Sequence, residues 1–493
     1  MTEPVRTSRT VDLKNLVNGR WQDGHGEKFE SINPSRSSVV IGAGALAGKA
    51  EVDEAVAAAA RAQPAWGRMP HHERAAILAR AATIIEESAD DWGYDLATEE
   101  GKTTSEGIGE VIRAAQILRY CAGEADREAG EIYSSPRRGE RLLVTRRPVG
   151  VVAVITPFNF PIAIPAWKIA PALSHGNAVV WKPASVVPLL AMRLAQALHD
   201  AGLPPGVLNL LLADGATGGH LVDHVEVDAV TFTGSTGVGR AIAASCAARG
   251  IPVQAEMGGK NPAIVLADAD LDLAVEHVLL GAFRSAGQKC TATSRLIIEQ
   301  GIADEFLDEF TRRARSLVVG DAVAPDTQVG PLISAAAQAT VQRGIDTAVQ
   351  QGATPLAGGS GFLGGQLAEG FFVPPTVLEL PSTDLDVWRE ELFGPVVAVV
   401  RAHDAQDAFA LANDSAYGLS AAVFTNDLAR ALDSVDELDV GILHVNSETA
   451  GADPHVPFGG ARHSGYGPKE QGRASREFFT RTTTVYLRGG ASS

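Results

Sequence analysis

The sequence predicts an α/β protein with two parallel-sheet units, and two patterns along the chain support this. From about residue 150, short apolar runs such as GVVAVI, NAVVWK, VLNLLL and DAVTFTG alternate with helical stretches such as VVPLLAMRLAQALHDAG. This alternation is typical of βαβ units with strands buried on both faces. A second alternation follows QAEMGGKNP and extends to about residue 445. Because ligands of such sheets bind beyond the carboxyl ends of the strands, we expect the functional residues there.

The segments outside the two alternations predict packing elements. NLVNGRWQDG and FESINPSRSSVVIGAG near the start predict short strands and turns. In HERAAILARAATIIEESADDW, apolar residues recur at helical spacing on one face, which predicts a helix that packs on the core. RGERLLVTRRPVG and the terminal TRTTTVYLRGG predict strands outside both sheets. Edge strands of this kind commonly pair subunits.

Composition excludes several classes of protein. Asp and Glu number 59 against 42 Lys and Arg, and the net charge of −17 argues against a nucleic-acid surface. The N-terminal stretch lacks the apolar core of a signal peptide, and no apolar run approaches the ~20 residues of a membrane span. Cys121, Cys246 and Cys290 have no paired spacing, which argues against a disulfide framework and a cysteine-based metal site. A reducing, cytoplasmic setting fits best.

Cys290, in SAGQKCTATS, is a candidate nucleophile. It lies among small polar residues, between a helical stretch and the strand-like SRLII, so a connecting loop is expected. A thiol is a strong nucleophile even with little thiolate present at neutral pH. A lone cysteine is also commonly a buried small hydrophobe, and both readings stay open for this position. Cys121 and Cys246 lie in helix-like segments and fit the buried alternative.

Two further side chains lie at predicted strand ends. Glu256 ends a short apolar run and precedes two glycines, where a carboxylate can act as a general base or simply be solvated or cap a helix. Asn159, in VITPFNFP, is held between phenylalanines and prolines. An amide in such a rigid apolar setting suits an oxyanion donor, although an Asx turn before a helix explains it equally well.

TFTGSTGVG places Gly234, Gly237 and Gly239 between a strand and a helix. The spacing is not that of the dinucleotide fingerprint. Small residues at a helix N-terminus nevertheless form an anion site suited to a pyrophosphate.

Together these elements resemble the aldehyde dehydrogenase superfamily over nearly the whole chain. The resemblance rests on PFNFP, WKPAS, FTGSTGVG, EMGGKNP, GQKCTATSR, EELFGPV and PFGGARHSGYG, which occur in the family's order. It implies a Rossmann-type cofactor domain (residues 1–130 and 148–257) and an α/β catalytic domain (258–445). It also implies a small oligomerisation sheet (131–147 and 478–493), a returning segment near the substrate entrance (446–477), and a homodimer or homotetramer.

The resemblance also implies the reaction. Cys290, as thiolate, attacks the aldehyde carbonyl, and the Asn159 amide and the Cys290 backbone N–H hold the oxyanion of the thiohemiacetal. Hydride leaves for the nicotinamide, and Glu256 activates the water that hydrolyses the resulting thioester. The presence of Glu256 favours hydrolysis over transfer to coenzyme A. Some relatives carry a further glutamate where this chain has Arg473, so we assign no auxiliary base there.

NAD or NADP is the implied cofactor. Lys182 is expected at the adenosine ribose, Glu391 at the nicotinamide ribose, and Phe393 near the nicotinamide ring. NAD-restricted relatives carry a glutamate where this chain has Ser185, and a neutral hydroxyl removes repulsion of a 2′-phosphate. NADP is therefore expected to be tolerated, although NAD alone fits Ser185 as well. The expected cofactor residues are Thr156, Pro157, Phe158, Lys182, Ser185, Gly234, Ser235, Gly258, Glu391 and Phe393.

The segments around Cys290 and HVPFGGARHSGYGPKEQG resemble most the α-ketoglutaric semialdehyde (2,5-dioxopentanoate) dehydrogenases within this family. Arg284, six residues before Cys290, matches an arginine of semialdehyde dehydrogenases, and a guanidinium binds a carboxylate through two hydrogen bonds. An ion pair within the protein is the alternative role for Arg284. Trp167 stands where succinic semialdehyde enzymes carry a second arginine, and it leaves room for aromatic or aliphatic aldehydes. The expected substrate residues are Arg284, Phe160, Trp167, Ser447, Thr449 and Phe458.

Two other classes of protein are alternatives to the class that this resemblance implies. A structural protein on the same scaffold need not keep both Cys290 and Glu256. A serine or cysteine hydrolase would not need the cofactor residues, and the chain contains no G-x-S-x-G motif. Both alternatives are therefore disfavoured.

Overall fold

The structure is a computed structural model that describes residues 10–127, 129–359 and 364–489. Three short 3₁₀ helices lie at Gly123–Asp126, Arg284–Gly287 and Gly365–Glu369. The α-helices of the described residues are α1 (Lys49–Arg68), α2 (His71–Glu87), α3 (Ala89–Glu99), α4 (Thr104–Ala122), α5 (Ala163–Ser174), α6 (Pro188–Asp200), α7 (Gly215–Asp223), α8 (Thr236–Arg249), α9 (Leu271–Phe283), α10 (Ala303–Ser316), α11 (Ala335–Gln350), α12 (Asp386–Arg389), α13 (Ala405–Asn413), α14 (Leu428–Glu437) and α15 (Ala474–Phe479).

The strands form five sheets among the described residues. They are β1 (Val11–Leu13), β2 (Asn15–Val17), β3 (Arg20–Gln22), β4 (Lys28–Asn33), β5 (Arg36–Ala45), β6 (Gly130–Tyr133), β7 (Glu140–Pro148), β8 (Val151–Ile155), β9 (Ala178–Lys182), β10 (Leu208–Leu210), β11 (Ala229–Thr233), β12 (Val253–Glu256), β13 (Asn261–Val265), β14 (Thr293–Glu299), β15 (Thr354–Ala357), β16 (Thr376–Glu379), β17 (Val396–Ala402), β18 (Tyr417–Gly418), β19 (Ser420–Phe424), β20 (Ile442–Val445), β21 (Ala461–Arg462), β22 (Gly465–Tyr466) and β23 (Thr480–Arg488).

The first α/β unit is built on an eight-stranded sheet with the order β22-β12-β11-β8-β9-β10-β2-β3. Its central strands, β12 to β10, run parallel, and β22, β2 and β3 add antiparallel edges. The residues of β8, β9 and β11 are almost entirely buried, as expected for strands covered by helices on both faces. The apolar runs that predicted these strands therefore coincide with the centre of the sheet.

The second α/β unit is a seven-stranded sheet with the order β15-β16-β17-β14-β13-β19-β20. All of its neighbouring strands are parallel except the β15–β16 pair. A separate core of buried apolar side chains from this sheet and its helices surrounds it. The predicted α/β class is thus confirmed, with one parallel core in each unit.

One smaller antiparallel sheet, with the order β23-β7-β6, lies outside these two sheets. β23 pairs with β7 along nine residues, and β6 pairs with the other edge of β7. Both segments match the strands predicted from RGERLLVTRRPVG and TRTTTVYLRGG. β6 is exposed along its whole length, including Ile132 at 78%. Residues 1–9, 128, 360–363 and 490–493, which fall within the expected domain boundaries, lie outside the described residues.

Helix α5 is the most deeply enclosed element near the cleft between the two units, since every one of its residues is buried. Its sequence, AIPAWKIAPALS, is apolar on all sides except for Lys168. The helix packs against α4, whose N-terminus is capped by Thr103 and Glu106 through a reciprocal pair of hydrogen bonds. Among the described residues, no helix combines the length and apolar character needed to cross a bilayer.

Candidate active site

Two cavities open near the carboxyl ends of the first sheet. We call them the thiol cavity and the glycine cleft. The thiol cavity, about 340 Å³, is lined by residues that include Lys102, Glu106, Glu110, Arg113, Phe160, Trp167, Arg284, Lys289, Cys290, Glu448 and Phe458. The glycine cleft, about 570 Å³, is lined by residues that include Thr156, Pro157, Lys182, Ala184, Gly215, Gly218, Phe232, Gly234, Ser235 and Gly237.

Cys290 lies on the loop between the 3₁₀ turn at Arg284–Gly287 and strand β14, as the sequence predicted. Ser285 and Ala286 have φ angles of 54° and 50°, a left-handed backbone that is strained for residues with a side chain. The loop is fixed from two sides. The Ser285 N–H donates to Glu106 Oε1 (2.8 Å), and Asn261 Nδ2 donates to the carbonyl of Cys290 (2.8 Å).

The surroundings of Cys290 favour its neutral thiol. Burial, followed by the nearby carboxyls of Glu391 and Glu256, raises the pKa of Cys290 to about 12. Hydrogen bonds from the backbone N–H groups of Thr291 and Cys290 act in the opposite direction. The side chain is nevertheless partly exposed, and it faces the thiol cavity. Cys121 and Cys246 are buried in α4 and α8.

Asn159 lies in the turn between β8 and α5 and is 2% exposed. Its Nδ2 donates to the carbonyl of Gln288 at 2.9 Å, which places the amide beside the loop that carries Cys290. The Lys102 ammonium donates to the Asn159 backbone carbonyl and holds this turn from the other side. An amide so fixed would need no reorganisation to donate its second hydrogen to a substrate oxygen. Asn159 does not itself line the thiol cavity.

Glu256 ends β12 and is 4% exposed. The Gly460 N–H donates to Glu256 Oε2 at 3.2 Å. Burial raises the pKa of Glu256 well above its usual range, and the neighbouring Glu470 adds to this, while Lys168 and Lys469 oppose it. A carboxyl with a raised pKa is a stronger base once it ionises, so this site is suited to removing a proton from water or a thiol.

Glu470 was missed by the sequence analysis, which considered only Arg473 in this segment. Arg473 is exposed, whereas Glu470 is 1% exposed and accepts a hydrogen bond from Lys168 of α5. Lys168 also donates to Thr231 Oγ1 at 3.0 Å. A lone lysine in the otherwise apolar run of α5 was the signal that a buried carboxylate must lie opposite.

The glycine cleft lies beyond the carboxyl ends of β8, β9 and β11, where Ile155, Lys182 and Thr233 line it. Gly234 and Ser235 immediately precede helix α8, so the cleft lies at the N-terminus of that helix. This arrangement of small residues and a helix N-terminus fits a pyrophosphate. Burial lowers the pKa of Lys182, and Asp214 partly counteracts this.

Of the ten cofactor positions expected from the sequence, Thr156, Pro157, Lys182, Gly234 and Ser235 line the glycine cleft. Ser185 lies in the turn after β9 and is half-buried. It is absent from the lining, where its neighbour Ala184 is present.

The other four expected residues, Phe158, Gly258, Glu391 and Phe393, do not line the glycine cleft. They form two contacting pairs, and Glu391 is near enough to Cys290 to raise the pKa of its thiol. Glu391 Oε1 accepts a hydrogen bond from the Gly259 N–H at 3.1 Å. A Cβ on Gly258 would overlap the Glu391 carboxyl, so a larger residue there would displace that carboxyl. Phe393 has a φ of 56° and its ring contacts that of Phe158 edge-on, with centroids 5.8 Å apart. Burial raises the pKa of Glu391 to about 7.

The structure brings four of the six expected substrate residues to the thiol cavity. Phe160, Trp167, Arg284 and Phe458 line it, and the rings of Trp167 and Phe458 lie 5.3 Å apart. The remaining two, Ser447 and Thr449, require a correction.

Thr449 is fully buried behind the cavity wall, where its hydroxyl contacts Thr293 Oγ1 (2.9 Å) and donates to the carbonyl of Thr291 (2.7 Å). Ser447 lies beside His444 instead, 3.4 Å from its ring. Neither residue lines the cavity. Glu448, Ala450, Gly451 and Ala452 of the same irregular segment line it instead.

Two cations of the thiol cavity, Arg284 and Lys289, are loosely paired. Arg284 lies 3.7 Å from both Glu106 and Glu448, and Lys289 lies 3.8 Å from Glu448. These separations exceed a hydrogen bond, so the cations remain available to an incoming anion. Lys289 and Glu448 were not predicted as site residues. Among the described residues, no cluster of three or more His, Cys, Asp or Glu side chains suits a metal ion.

Comparisons with known proteins agree with this geometry. A model of the aldehyde dehydrogenase family matches residues 21–485. The chain is 40% identical over 476 residues to the alpha-ketoglutaric semialdehyde dehydrogenase of Bacillus subtilis (strain 168), covering 96% of this chain and 98% of that relative. It is 41% identical over 480 residues to the alpha-ketoglutarate semialdehyde dehydrogenase of Haloferax volcanii, covering 97% and 99%.

A solved structure shows the same fold. The crystal structure of betaine aldehyde dehydrogenase from Staphylococcus aureus in complex with NAD⁺ matches with a TM-score of 0.94 at 32% identity. The match covers 97% of this chain and 95% of that one.

Proposed function

This chain belongs to the aldehyde dehydrogenase family as an NAD(P)-dependent dehydrogenase, and from that premise we propose that it oxidises a semialdehyde bearing a carboxylate, such as α-ketoglutaric semialdehyde. The observation that carries the proposal is the position of Arg284. Its guanidinium lies on the wall of the same cavity that Cys290 faces, with no carboxylate of Glu106 or Glu448 closer than 3.7 Å.

Cys290 is the proposed nucleophile. Its Sγ attacks the aldehyde carbon, and the thiol proton passes to a base as the carbon–sulfur bond of the thiohemiacetal forms. The Asn159 amide and the Cys290 backbone N–H are the proposed donors to the oxygen that becomes negative. Loss of one such donor typically lowers the rate by about 10²–10³-fold.

Glu256 is the proposed general base. Once the thiohemiacetal has lost its hydride, a thioester on Cys290 remains, and Glu256 takes a proton from the water that attacks it. The carboxylic acid leaves and the thiol of Cys290 is restored. Gly459, whose Cβ would overlap Glu256 Oε1, leaves the carboxyl its space, and the Gly460 N–H donates to it.

The residues of the glycine cleft fit a nicotinamide dinucleotide, which supplies the hydride acceptor when it is bound. Gly234 and Ser235 are proposed to hold its pyrophosphate at the N-terminus of α8, and Lys182 its adenosine ribose. Glu391 and Phe393 are proposed to hold the nicotinamide half near Cys290. Ser185 carries no negative charge, so we expect NADP to be accepted as well as NAD.

The expected three-part division is retained as part of the proposal. Residues 1–130 and 148–257 are proposed to supply the cofactor domain, 258–445 the catalytic domain, and 131–147 with 478–493 the oligomerisation strands. Residues 446–477 are proposed as the returning segment, from which Glu448 and Phe458 line the cavity. The exposed sheet of β6, β7 and β23 is proposed to join subunits into a homodimer or homotetramer. A cytoplasmic location is consistent with three unpaired cysteines.

A panel of aldehydes assayed with both NAD and NADP tests this function. We expect kcat/KM for α-ketoglutaric semialdehyde to exceed that for pentanal and for benzaldehyde. Succinic semialdehyde is expected to fall between them, because Trp167 replaces the second cation of enzymes that use it. The apolar floor of Phe160, Trp167 and Phe458 favours benzaldehyde as the rival substrate, and a preference for benzaldehyde would overturn the proposal.

Arg284→Met is the matched variant for the panel. It removes the guanidinium while keeping an unbranched apolar stem. We expect KM for the semialdehydes to rise about 10- to 100-fold while KM for pentanal changes little. Equal effects on both classes of aldehyde would show that Arg284 serves only an internal ion pair.

A further inference from the structure

The thiol cavity contains a second cation that the proposed reaction does not use. Lys289 immediately precedes Cys290 and is 6% exposed, yet it lines the cavity on the same loop as Arg284. The two cations therefore flank the region that a substrate attached to Cys290 would occupy. A buried ammonium at such a place needs a counter-ion or a full set of hydrogen bonds.

The Lys289 ammonium has neither a close counter-ion nor a full set of hydrogen bonds. It carries three N–H donors, and one of them is used in a 3.2 Å bond to the carbonyl of Leu280. The Glu448 carboxylate lies 3.8 Å away, too far for a hydrogen bond, and Glu448 Oε2 has no hydrogen-bond partner among the described residues. Burial accordingly lowers the pKa of Lys289 to about 8, despite the opposing charges of Glu448 and Glu106.

Lys102, a third cation of the same cavity, is by contrast completely paired. Its ammonium donates to Glu110 at 2.8 Å and to the Asn159 carbonyl, and it lies 3.7 Å from the centre of the Phe160 ring. Lys102 is thus committed to holding the turn that carries Asn159. The incomplete coordination of Lys289 is therefore specific to its position and not a general property of the cavity.

We propose that Lys289 is a specificity-determining residue that binds the 2-oxo acid end of the substrate together with Arg284. The guanidinium takes the carboxylate, and the ammonium donates to a carboxylate oxygen and the adjacent 2-oxo oxygen. Glu448 is the counter-ion that both cations share while the cavity holds no substrate. This inference rests on the proposed function, because it needs an anionic semialdehyde.

Lys289→Met and Lys289→Arg test the inference. Methionine keeps the length and apolar stem but removes the charge, whereas arginine keeps the charge. For Lys289→Met we expect kcat/KM for α-ketoglutaric semialdehyde to fall about 10- to 100-fold through KM, with kcat changed less than about threefold. Turnover of pentanal should change less than about threefold, and Lys289→Arg should retain most of the semialdehyde activity.

A binding measurement gives a readout independent of turnover. Oxidation of 2,5-dioxopentanoate yields 2-oxoglutarate, so titration calorimetry with 2-oxoglutarate reports on the same end of the molecule. We expect its Kd to rise about 10-fold or more in Lys289→Met and to stay near the wild-type value in Lys289→Arg.

The outcomes separate this inference from the proposed function. If the unmodified enzyme prefers the semialdehyde but Lys289→Met lowers turnover of both aldehydes equally, or leaves 2-oxoglutarate binding unchanged, the role of Lys289 is overturned and the function stands. If the unmodified enzyme shows no preference for the semialdehyde over pentanal, the proposed function fails and this inference fails with it.

Discussion

At the scale of single residues, the surroundings of Cys290, the proposed nucleophile, favour its neutral thiol. Burial and the carboxyls of Glu391 and Glu256 disfavour a negative charge on the Cys290 sulfur, and the N–H groups of Thr291 and Cys290 offset only part of this. The site therefore positions the thiol of Cys290 and supplies a nearby base, but it does not keep the thiol permanently ionised. Cys290 should become reactive as a base removes the proton from its thiol.

The reactivity of Cys290 toward iodoacetamide is expected to climb with pH. Because the pKa of Cys290 is raised to about 12, its thiolate fraction grows steadily between pH 7 and 10 without a plateau. Glu256→Gln removes one of the carboxyls that raise this pKa, so its profile should shift to lower pH. The measurement is the alkylation rate of the cofactor-free protein at each pH.

Cys290→Ser provides the background, since Cys121 and Cys246 are buried and should react slowly. A plateau below pH 8 in the unmodified protein would mean that the thiol is already ionised at rest. An unchanged profile in Glu256→Gln would mean that Glu256 does not act on the sulfur.

The sequence allowed the prediction of residues whose position follows from a strand end or a motif, and Glu256, Asn159 and Lys182 lie at such places. It did not allow the prediction of which side chains of an irregular segment face inward, so Thr449 was expected on the wrong side of the cavity wall. The sequence also did not allow the prediction of contacts between residues that are distant in the chain. Lys168 and Glu470 are 302 residues apart and meet only because α5 and the returning segment pack together.

At the scale of elements, the loop at Gly459 controls the space around the general base. Gly459 has a φ of 148°, and a Cβ there would overlap Glu256 Oε1. The loop is further held by Lys469, which donates to the carbonyls of Gly459 and Gly460. The backbone can approach the carboxyl this closely only without a side chain.

Gly459→Ala is expected to displace the Glu256 carboxyl and slow hydrolysis of the thioester. Its kcat should fall about 10-fold or more, with cofactor affinity unchanged, measured by steady-state rates and a cofactor titration. Gly301→Ala is the matched control, because a Cβ at Gly301 makes only an ordinary contact with Ala267. Normal turnover in Gly459→Ala would show that the loop does not set the position of Glu256.

Helix α5 is tied to the returning segment by a buried ion pair. Lys168 and Glu470 are at most 1% exposed, so removal of either one leaves the other buried without its partner. We expect Lys168→Met to lower the free energy of unfolding by about 3 kcal/mol. The double variant Lys168→Met/Glu470→Gln should recover more than half of that loss in urea unfolding. A double variant no more stable than Lys168→Met would contradict this account.

At the scale of the whole molecule, the two α/β units meet at the cleft that holds the site. The first sheet supplies Asn159, Glu256 and the glycine cleft from the ends of its strands, and the loop before β14 of the second sheet supplies Cys290. The alternation of apolar runs predicted both units, because each strand buries a continuous apolar stretch. The order of strands in each sheet could not be read from that pattern, since pairing is decided by contacts between distant segments.

The exposed sheet of β6, β7 and β23 is expected to join subunits. Ile132 and Tyr486 are 78% and 61% exposed, on the two outer strands of this sheet, β6 and β23. Ile132→Lys should shift the protein toward smaller species in sedimentation velocity, because a charge would replace apolar contact at the interface. Val225→Lys, at an equally exposed valine remote from this sheet, should leave the species unchanged. An identical distribution in Ile132→Lys would place the interface elsewhere.

The central claim is that the carbonyl carbon of the aldehyde becomes bonded to the sulfur of Cys290. The most direct measurement is mass spectrometry of digested Glu256→Gln enzyme, quenched after mixing with α-ketoglutaric semialdehyde and NAD or NADP. Because Glu256→Gln should hydrolyse the thioester slowly, we predict an acyl group on the peptide that contains Cys290, formed in step with reduced nicotinamide. Reduced nicotinamide produced while that peptide stays unmodified would contradict the account.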